Sequence, residues 1–168
     1  MSKKKVAILF TGFIRNWFET CDSFLENVVE FNKDKYDIDI FGITLDETNR
    51  YSGNRNYFEQ IKESEFDNLK NKYNMANFEV LENKFLDSYF VKEKNYLFHL
   101  IHDYTGLMYK LGGVVKQAYI YQKGLDLIES HNKNYDLVIK TRFDISYKSP
   151  CKIPNTIDNE VRMLTMYS

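Results

Sequence analysis

The order of apolar segments along the chain predicts an α/β domain with three layers and a mainly parallel, twisted sheet. Buried-strand patterns occupy residues 5–10, 38–44 and 136–141, and helical patterns lie between them. A strand, helix, strand order needs crossover connections, which place helices on both faces of a parallel sheet. The 168 residues are enough for one domain with a substantial core. We therefore expect residues 1–168 to form a single domain.

The amino-terminal segment predicts the first βαβ unit. The predicted strand at residues 5–10 contains the apolar run 6–10, which is typical of a strand buried on both faces, and Thr11-Gly12 ends that strand. Asn16 is a favourable N-cap, and Glu19 three residues later completes a capping-box pattern. The helix that follows carries apolar residues at helical spacing. They are Phe18, Cys21, Phe24, Leu25, Val28 and Val29.

The rest of the chain continues the alternation of strands and helices. The expected elements are a strand at 37–44, a loop at 46–56, a helix at 56–73, a strand at 77–81, a helical region at 96–130, a strand at 136–141 and a last strand at 161–166. Asn56 and Glu59 repeat the capping-box pattern at the start of the second helix. Gly112-Gly113 leaves open whether the later helical region is one helix or two.

Composition and motifs exclude several functions. A net charge of −1 provides no field that favours nucleic acid, and no apolar run reaches the length of a membrane span. Cys21 and Cys151 form neither a disulfide framework nor a metal-ligand spacing, which fits a reducing, cytoplasmic compartment. The sequence contains no phosphate-binding P-loop, no dinucleotide-binding glycine motif after the first strand and no nucleophile-elbow serine.

A charged pair follows the apolar strand at residues 136–141. On an extended backbone, residues two apart point to the same side, so Arg142 and Asp144 are expected to face one crevice. Phe143 would then turn away into packing. Ligands of open α/β sheets bind beyond the carboxyl ends of the strands, which makes this pair a candidate site. The alternative is a structural ion pair at a strand end.

Two segments together carry a family resemblance. Residues 6–15, which end in Thr-Gly-Phe-Ile-Arg, and residues 135–144, which end in Arg-Phe-Asp, flank a Met-Tyr-Lys stretch at 108–110. This arrangement resembles small glycosyltransferase-like proteins of large DNA viruses and of bacterial polysaccharide clusters. The resemblance implies a GT-A-type, Rossmann-like fold, a nucleotide-sugar donor and a glycan or polysaccharide acceptor. It also implies a cytoplasmic protein, in the host cytoplasm if the protein is viral.

The resemblance assigns catalytic roles to Arg142 and Asp144. GT-A enzymes usually hold a divalent cation against the donor diphosphate with an Asp-x-Asp motif, and here Arg142 replaces the first aspartate. Asp144 is the expected ligand of Mn²⁺ or Mg²⁺, which prefer oxygen ligands. Arg142 could bind phosphate or ribose oxygens through its planar guanidinium, and could even substitute for the cation.

The remaining donor contacts are expected from the first turn and from the later helix. Gly12 would let the backbone approach the nucleotide, Thr11 could hydrogen-bond to it, and Arg15 could reach a phosphate. Lys116 could also face the donor. The alternatives are a simple turn at Gly12, a solvated residue at Arg15 and a solvated helix face at Lys116.

Two function classes follow from these expectations. The first is a glycosyltransferase that takes its sugar from a nucleotide-sugar. The second is a non-catalytic nucleotide- or sugar-binding module, or the donor-binding half of a larger enzyme. Family members usually continue beyond the last predicted strand, so the resemblance implies truncation after Ser168, before the acceptor side is complete.

Overall fold

The computed structural model describes residues 2–52, 55–84, 86 and 105–154. In chain order its elements are β1 (Lys4–Thr11), α1 (Trp17–Phe24) continued by a π-helix (Leu25–Glu30), β2 (Tyr36–Leu45), β3 (Glu47–Ser52), β4 (Arg55–Gln60), α2 (Glu63–Lys72), β5 (Asn77–Leu81), α3 (Thr105–Glu129) and β6 (Leu137–Thr141). None of the helices in these ranges has both the length and the apolar character needed to span a bilayer.

Within the described ranges, one sheet holds four strands in the order β5-β2-β1-β6, and every neighbouring pair is parallel. The central strand β1 sets the register, because Ile8 pairs with Ile40 of β2 and with Ile139 of β6. The prediction that segments 5–10, 38–44 and 136–141 share a mainly parallel sheet is therefore confirmed.

Residues 6–10 of β1 are buried on both faces, which explains their unbroken apolar sequence. Ile8 and Phe10 pack in a core cluster with residues of α1 and α2, whereas Leu9 packs in a second cluster with Ile120 and Ile128 of α3. Full burial of such side chains contributes roughly 1.5–3 kcal/mol each relative to exposure. The fold thus has helices on both faces of the sheet, as the sequence predicted.

The path of the chain through the sheet reverses beside β1. The connections from β1 to β2 and from β2 to β5 carry α1 and α2 on one face, and the connection from β5 back to β6 carries α3 on the other. Because parallel crossovers are right-handed, a reversal of direction requires a change of face. The carboxyl ends of β1 and β6 therefore flank a topological switch point, where open α/β sheets bind ligands.

The predicted loop at 46–56 and the predicted helix start at Asn56 are wrong. Residues Glu47–Ser52 and Arg55–Gln60 form an antiparallel ribbon, in which Arg50 pairs with Tyr57. Backbone pairing across the ribbon overrides the capping-box pattern, which lies inside β4. The helix begins only at Glu63, after an extended Lys62.

Asn16 is the N-cap residue of α1, as predicted, but the predicted capping box is wrong. Asn16 has a left-handed backbone with φ 41° and makes no side-chain capping bond to α1. The helix begins at Trp17, which is buried, whereas Phe18, which was predicted on the apolar stripe, is 63% exposed. The buried face is instead formed by Trp17, Thr20, Cys21 and Phe24. The helix starts where it was predicted, directly after Asn16, and Trp17 takes the buried position that was expected of Phe18.

The later helical region is continuous where the structure describes it. Helix α3 runs from Thr105 to Glu129 without a break at Gly112-Gly113, so one helix is observed over this range. The predicted helical residues 96–104 and the predicted last strand at 161–166 lie outside the described residues.

A π-helical turn joins α1 to the segment that follows β6. The backbone carbonyl of Asn27 accepts a hydrogen bond of 2.8 Å from the Cys151 amide. The side chain of Asn32, which is only 2% exposed, donates to the carbonyls of Val28 and Cys151, at 2.7 Å each. The Cys151 amide and the Asn32 side chain thus satisfy two carbonyls of the widened helical turn. These contacts also hold the chain beyond β6 against the helix that follows β1.

Candidate functional site

The first predicted turn and the predicted charged pair emerge at the same edge of the sheet. Phe10 of β1 is in register with Thr141 of β6, and these strands run parallel. Thr11 and Gly12 therefore leave β1 beside the point where Arg142 leaves β6. This neighbourhood, formed by residues 11–15 and 142–144, is called the β1–β6 crevice below.

Gly12 shapes the β1 side of the crevice. Its φ is +104°, a conformation that residues with a side chain rarely adopt. The Gly12 carbonyl accepts a hydrogen bond of 2.8 Å from the Thr44 hydroxyl, which fixes the turn to the end of β2. A β-carbon at Gly12 would meet no heavy atom of the described residues within 4 Å, so its α-carbon borders space that they leave open. A ligand can therefore come close to the backbone here.

Arg15 lies in the same turn and has an unsatisfied donor. Its Nε is buried and makes no hydrogen bond within the described part of the chain. Its guanidinium carbon lies 5.3 Å from the centre of the Phe13 ring. A buried polar group without a partner costs about 1–3 kcal/mol, so such a group commonly has a water or a ligand as its partner. Arg15 Nε is thus a side-chain donor of the β1 turn that lacks an acceptor among the described residues.

Arg142 and Asp144 form a bidentate ion pair in a turn that follows β6. Arg142 Nε donates to Asp144 Oδ1 at 2.9 Å, and Nη2 donates to Oδ2 at 2.7 Å. The Arg142 side chain is 60% exposed, whereas that of Asp144 is 19% exposed. Both charged side chains lie on one side, as expected from their spacing, although the backbone is a turn instead of an extended strand.

The residue between them anchors this turn. Phe143 is fully buried and its ring stacks on that of Phe10 at 5.0 Å. Its carbonyl accepts a hydrogen bond of 2.6 Å from the buried Thr20 hydroxyl of α1. Below it, the hydroxyls of Thr141 and Tyr147 share a hydrogen bond of 2.8 Å, and burial raises the pKa of Tyr147. The backbone that carries Arg142 and Asp144 is therefore held from two sides.

The metal predicted at Asp144 is not matched by a set of protein ligands. Both carboxylate oxygens of Asp144 accept hydrogen bonds from Arg142. Across the ranges that the structure describes, no three His, Cys, Asp or Glu side chains come together as metal ligands. Divalent cations of the Mg²⁺ and Mn²⁺ type usually need several oxygen ligands. The described side chains alone do not fit such an ion.

Lys116 lies elsewhere on the same edge of the sheet. Its ammonium group donates to the side chain of Asn83, which follows β5. Asn83 in turn donates to Glu47 at 2.9 Å, and Gln60 donates to the other oxygen of Glu47 at 2.7 Å. This polar group lies beside β5, which is at the opposite side of the four-stranded sheet from β6. The predicted contact of Lys116 with a donor stays a prediction.

Neither cysteine is suited to nucleophilic catalysis. Burial raises the pKa of the Cys21 thiol to about 11, and burial also raises the pKa of Cys151. Both are free thiols, and both are therefore protonated at neutral pH. Cys21 belongs to the core cluster beneath α1.

Sequence reasoning missed the residues that support the crevice. Thr20 contacts the carbonyl of Phe143, and Thr44 contacts the carbonyl of Gly12. Both threonines are buried, and their partners are distant in sequence. Thr44 lies between Ile43 and Leu45, and a hydroxyl among apolar residues needs a hydrogen-bond partner. Thr20 lies between Glu19 and Cys21, where the sequence gives no such signal.

No protein-family model matches the chain, and no curated protein or solved structure is significantly similar to it.

Proposed function

We propose that this protein is a nucleotide-sugar-dependent glycosyltransferase whose donor diphosphate binds in the β1–β6 crevice. One observation carries the proposal: at the switch point of a parallel sheet, an open glycine turn lies beside a turn that carries an arginine and an aspartate. Such a crevice is the usual ligand position in this class of sheet. The resemblance of residues 6–15 and 135–144 to glycosyltransferase-like proteins points to the same ligand.

Each part of the crevice has a chemical role in this proposal. The open space at Gly12 lets a diphosphate approach the backbone, and the unsatisfied Nε of Arg15 supplies a donor. Arg142 offers a planar fork to phosphate oxygens, and stabilises the charge that develops on the leaving diphosphate. Asp144 accepts hydrogen bonds from sugar hydroxyls. A glycan acceptor then approaches from the solvent side of the crevice.

The alternative function is a nucleotide- or sugar-binding module without catalysis. The observation in its favour is the Arg142–Asp144 pair itself, because both oxygens of that carboxylate are already engaged. A carboxylate in this state is less available as a general base than a free one. The two functions differ in turnover, not in donor binding.

A donor screen tests the proposal. Calorimetry with UDP-, GDP-, dTDP- and CMP-sugars, with and without Mn²⁺, measures binding, and nucleotide release measures transfer or donor hydrolysis. We expect saturable binding of one donor class, with turnover for a transferase and no turnover for a module. Absence of binding to every donor under both conditions would contradict both functions.

The Gly12→Ala variant tests whether the donor binds at the β1 turn. The substitution puts a methyl group into the open space and strains a backbone at φ +104°, so donor affinity should fall about tenfold or more. Asn132→Ala is the matched control, since Asn132 also has a positive φ of 53° and lies before β6, on the approach to its amino-terminal end. The control should lose a similar backbone preference and keep the donor affinity of the parent.

A further inference from the structure

The bidentate geometry of the Arg142–Asp144 pair is one that a guanidinium also adopts with phosphate. We propose that Asp144 is the resting counter-ion of Arg142, and that the donor diphosphate displaces it. This inference rests on the proposed function, and it concerns how that same site recognises phosphate. In this arrangement Arg142 neutralises the diphosphate, and binding does not depend on a divalent cation.

The first support is the geometry of the pair. A carboxylate and a phosphate offer a guanidinium the same arrangement of two parallel acceptors, and Asp144 occupies both positions at 2.9 and 2.7 Å. The fork of Arg142 is thus already oriented as a phosphate would require. A diphosphate with more charge than one carboxylate competes well for it.

The second support is the unequal freedom of the two partners. Arg142 is 60% exposed, so its side chain can turn without leaving a buried cavity, whereas Asp144 is 19% exposed. Buried Phe143 and its bond from Thr20 hold the backbone between them. Exchange of the partner of Arg142 therefore needs only side-chain rotation. Because the Arg142 side of the pair is largely exposed, solvent can replace its contacts when it leaves Asp144.

The third support is the mismatch with a protein-held metal. Asp144 has no companion ligands among the described residues, and a neighbouring cation already neutralises it. On the β1 side, Arg15 offers a second guanidinium with an unsatisfied Nε. Two arginines and no clustered carboxylates are the side chains expected for direct binding of a diphosphate.

The test uses inorganic pyrophosphate as the probe and the full chain in a buffer that contains EDTA. The parent should bind pyrophosphate under these conditions. Asp144→Asn and Asp144→Ala should each bind it about threefold more tightly or better, because the competing anion is removed. Arg142→Gln should bind it at least about tenfold more weakly, and Arg142→Lys should lie between Arg142→Gln and the parent. Thermal denaturation of each variant verifies that it is folded.

Asp22→Asn is the matched control. Asp22 pairs with Lys72 at 2.6 Å on the surface between α1 and α2, so this variant also breaks an exposed ion pair. It should leave pyrophosphate affinity unchanged. A gain in affinity for Asp22→Asn equal to that for Asp144→Asn would reveal a general effect of net charge and overturn the inference.

The outcomes separate the inference from the proposed function. Pyrophosphate binding that is unchanged or weakened by both Asp144 substitutions in EDTA overturns the inference. Binding that appears only with Mn²⁺ and is lost in Asp144→Asn also overturns it, while the metal-assisted form of the proposed function survives. If the parent binds neither pyrophosphate nor any nucleotide-sugar, with or without Mn²⁺, both the inference and the proposed function fail.

Discussion

Two Asp–cation clusters of this protein lie in different regions and differ in how fully they are satisfied. Ahead of the amino-terminal end of β6, in the connection from α3, Lys133 contacts Asp39 at 2.6 Å and Asp37 at 3.2 Å, and the Tyr135 hydroxyl donates to the same Asp39 oxygen at 2.6 Å. At the carboxyl end of β6, the Arg142–Asp144 pair stands beside a glycine turn with open space and an unsatisfied arginine nitrogen.

The difference separates a structural cluster from a candidate binding site. Lys133 is 26% exposed and bridges two carboxylates, so any new ligand would have to break several bonds at once. Arg142 is 60% exposed and is joined to a residue two positions away in its own turn. Its pairing with Asp144 therefore adds little to the fold. An ion pair is a candidate ligand site only when a ligand can replace one of its partners without destabilising the fold.

The largest expected effect concerns the anchor beneath the Arg142–Asp144 turn. Phe143→Ala removes a fully buried ring that stacks on Phe10, and should lower the free energy of unfolding by about 3–5 kcal/mol. Phe31→Ala is the control, since Phe31 is 52% exposed, and should change stability by less than about 0.5 kcal/mol. Urea denaturation measures both. Equal small effects would show that Phe143 does not anchor the turn. The backbone that carries Arg142 and Asp144 could then no longer be regarded as rigid.

The sequence predicted the layers of this fold because the decisive information is local. Residues 6–10 of β1 are apolar at every position, since helices cover both faces of the sheet. The order of the segments then determined the crossovers. The neighbourhood of Gly12 and Arg142 also followed, since the carboxyl ends of adjacent parallel strands share one edge.

The errors arose where distant residues decide local structure. Asn16 and Asn56 both precede a glutamate by three positions, yet one adopts a left-handed turn and the other pairs within a ribbon. The bond between Thr20 and Phe143 joins residues 123 positions apart. The ion pair of Arg142 with Asp144 depends on a turn that the strand pattern did not predict. Single-sequence patterns contain no information on such pairings.

The second prediction tests the satisfied cluster through its pH dependence. Burial raises the pKa of Asp39, but hydrogen bonds from Lys133 and Tyr135 outweigh it, and the net shift of this pKa is downward. A carboxyl whose pKa is lower in the folded state stabilises the fold above its unfolded pKa of about 3.9. That stabilisation is lost as the pH falls through the folded pKa.

Asp39→Asn should therefore lower the free energy of unfolding by about 1–2 kcal/mol at pH 7, where the parent carboxylate is charged. The difference from the parent should shrink as the pH falls below about 4, because the parent then loses the same charge. Urea denaturation of both proteins between pH 7 and pH 3 measures this. A difference that stays constant over the range would mean that the charge of Asp39 is not what stabilises this region.

The smallest expected change in stability is that of Arg142→Gln, and the contrast between the two ion-pair clusters depends on it most. Arg142→Gln should change the free energy of unfolding by less than about 0.5 kcal/mol, because the side chain is largely exposed and its partner lies in the same turn. Lys133→Gln removes a cation of similar charge from the satisfied cluster, where Lys133 is only 26% exposed and contacts both Asp37 and Asp39. Its loss leaves two carboxylates without their shared cation, so it should cost more, about 1 kcal/mol or above. Urea denaturation at pH 7 ranks the two variants directly. If Arg142→Gln costs as much as Lys133→Gln, then Arg142 stabilises the fold in the way Lys133 does, and Asp144 is a structural partner instead of a displaceable counter-ion.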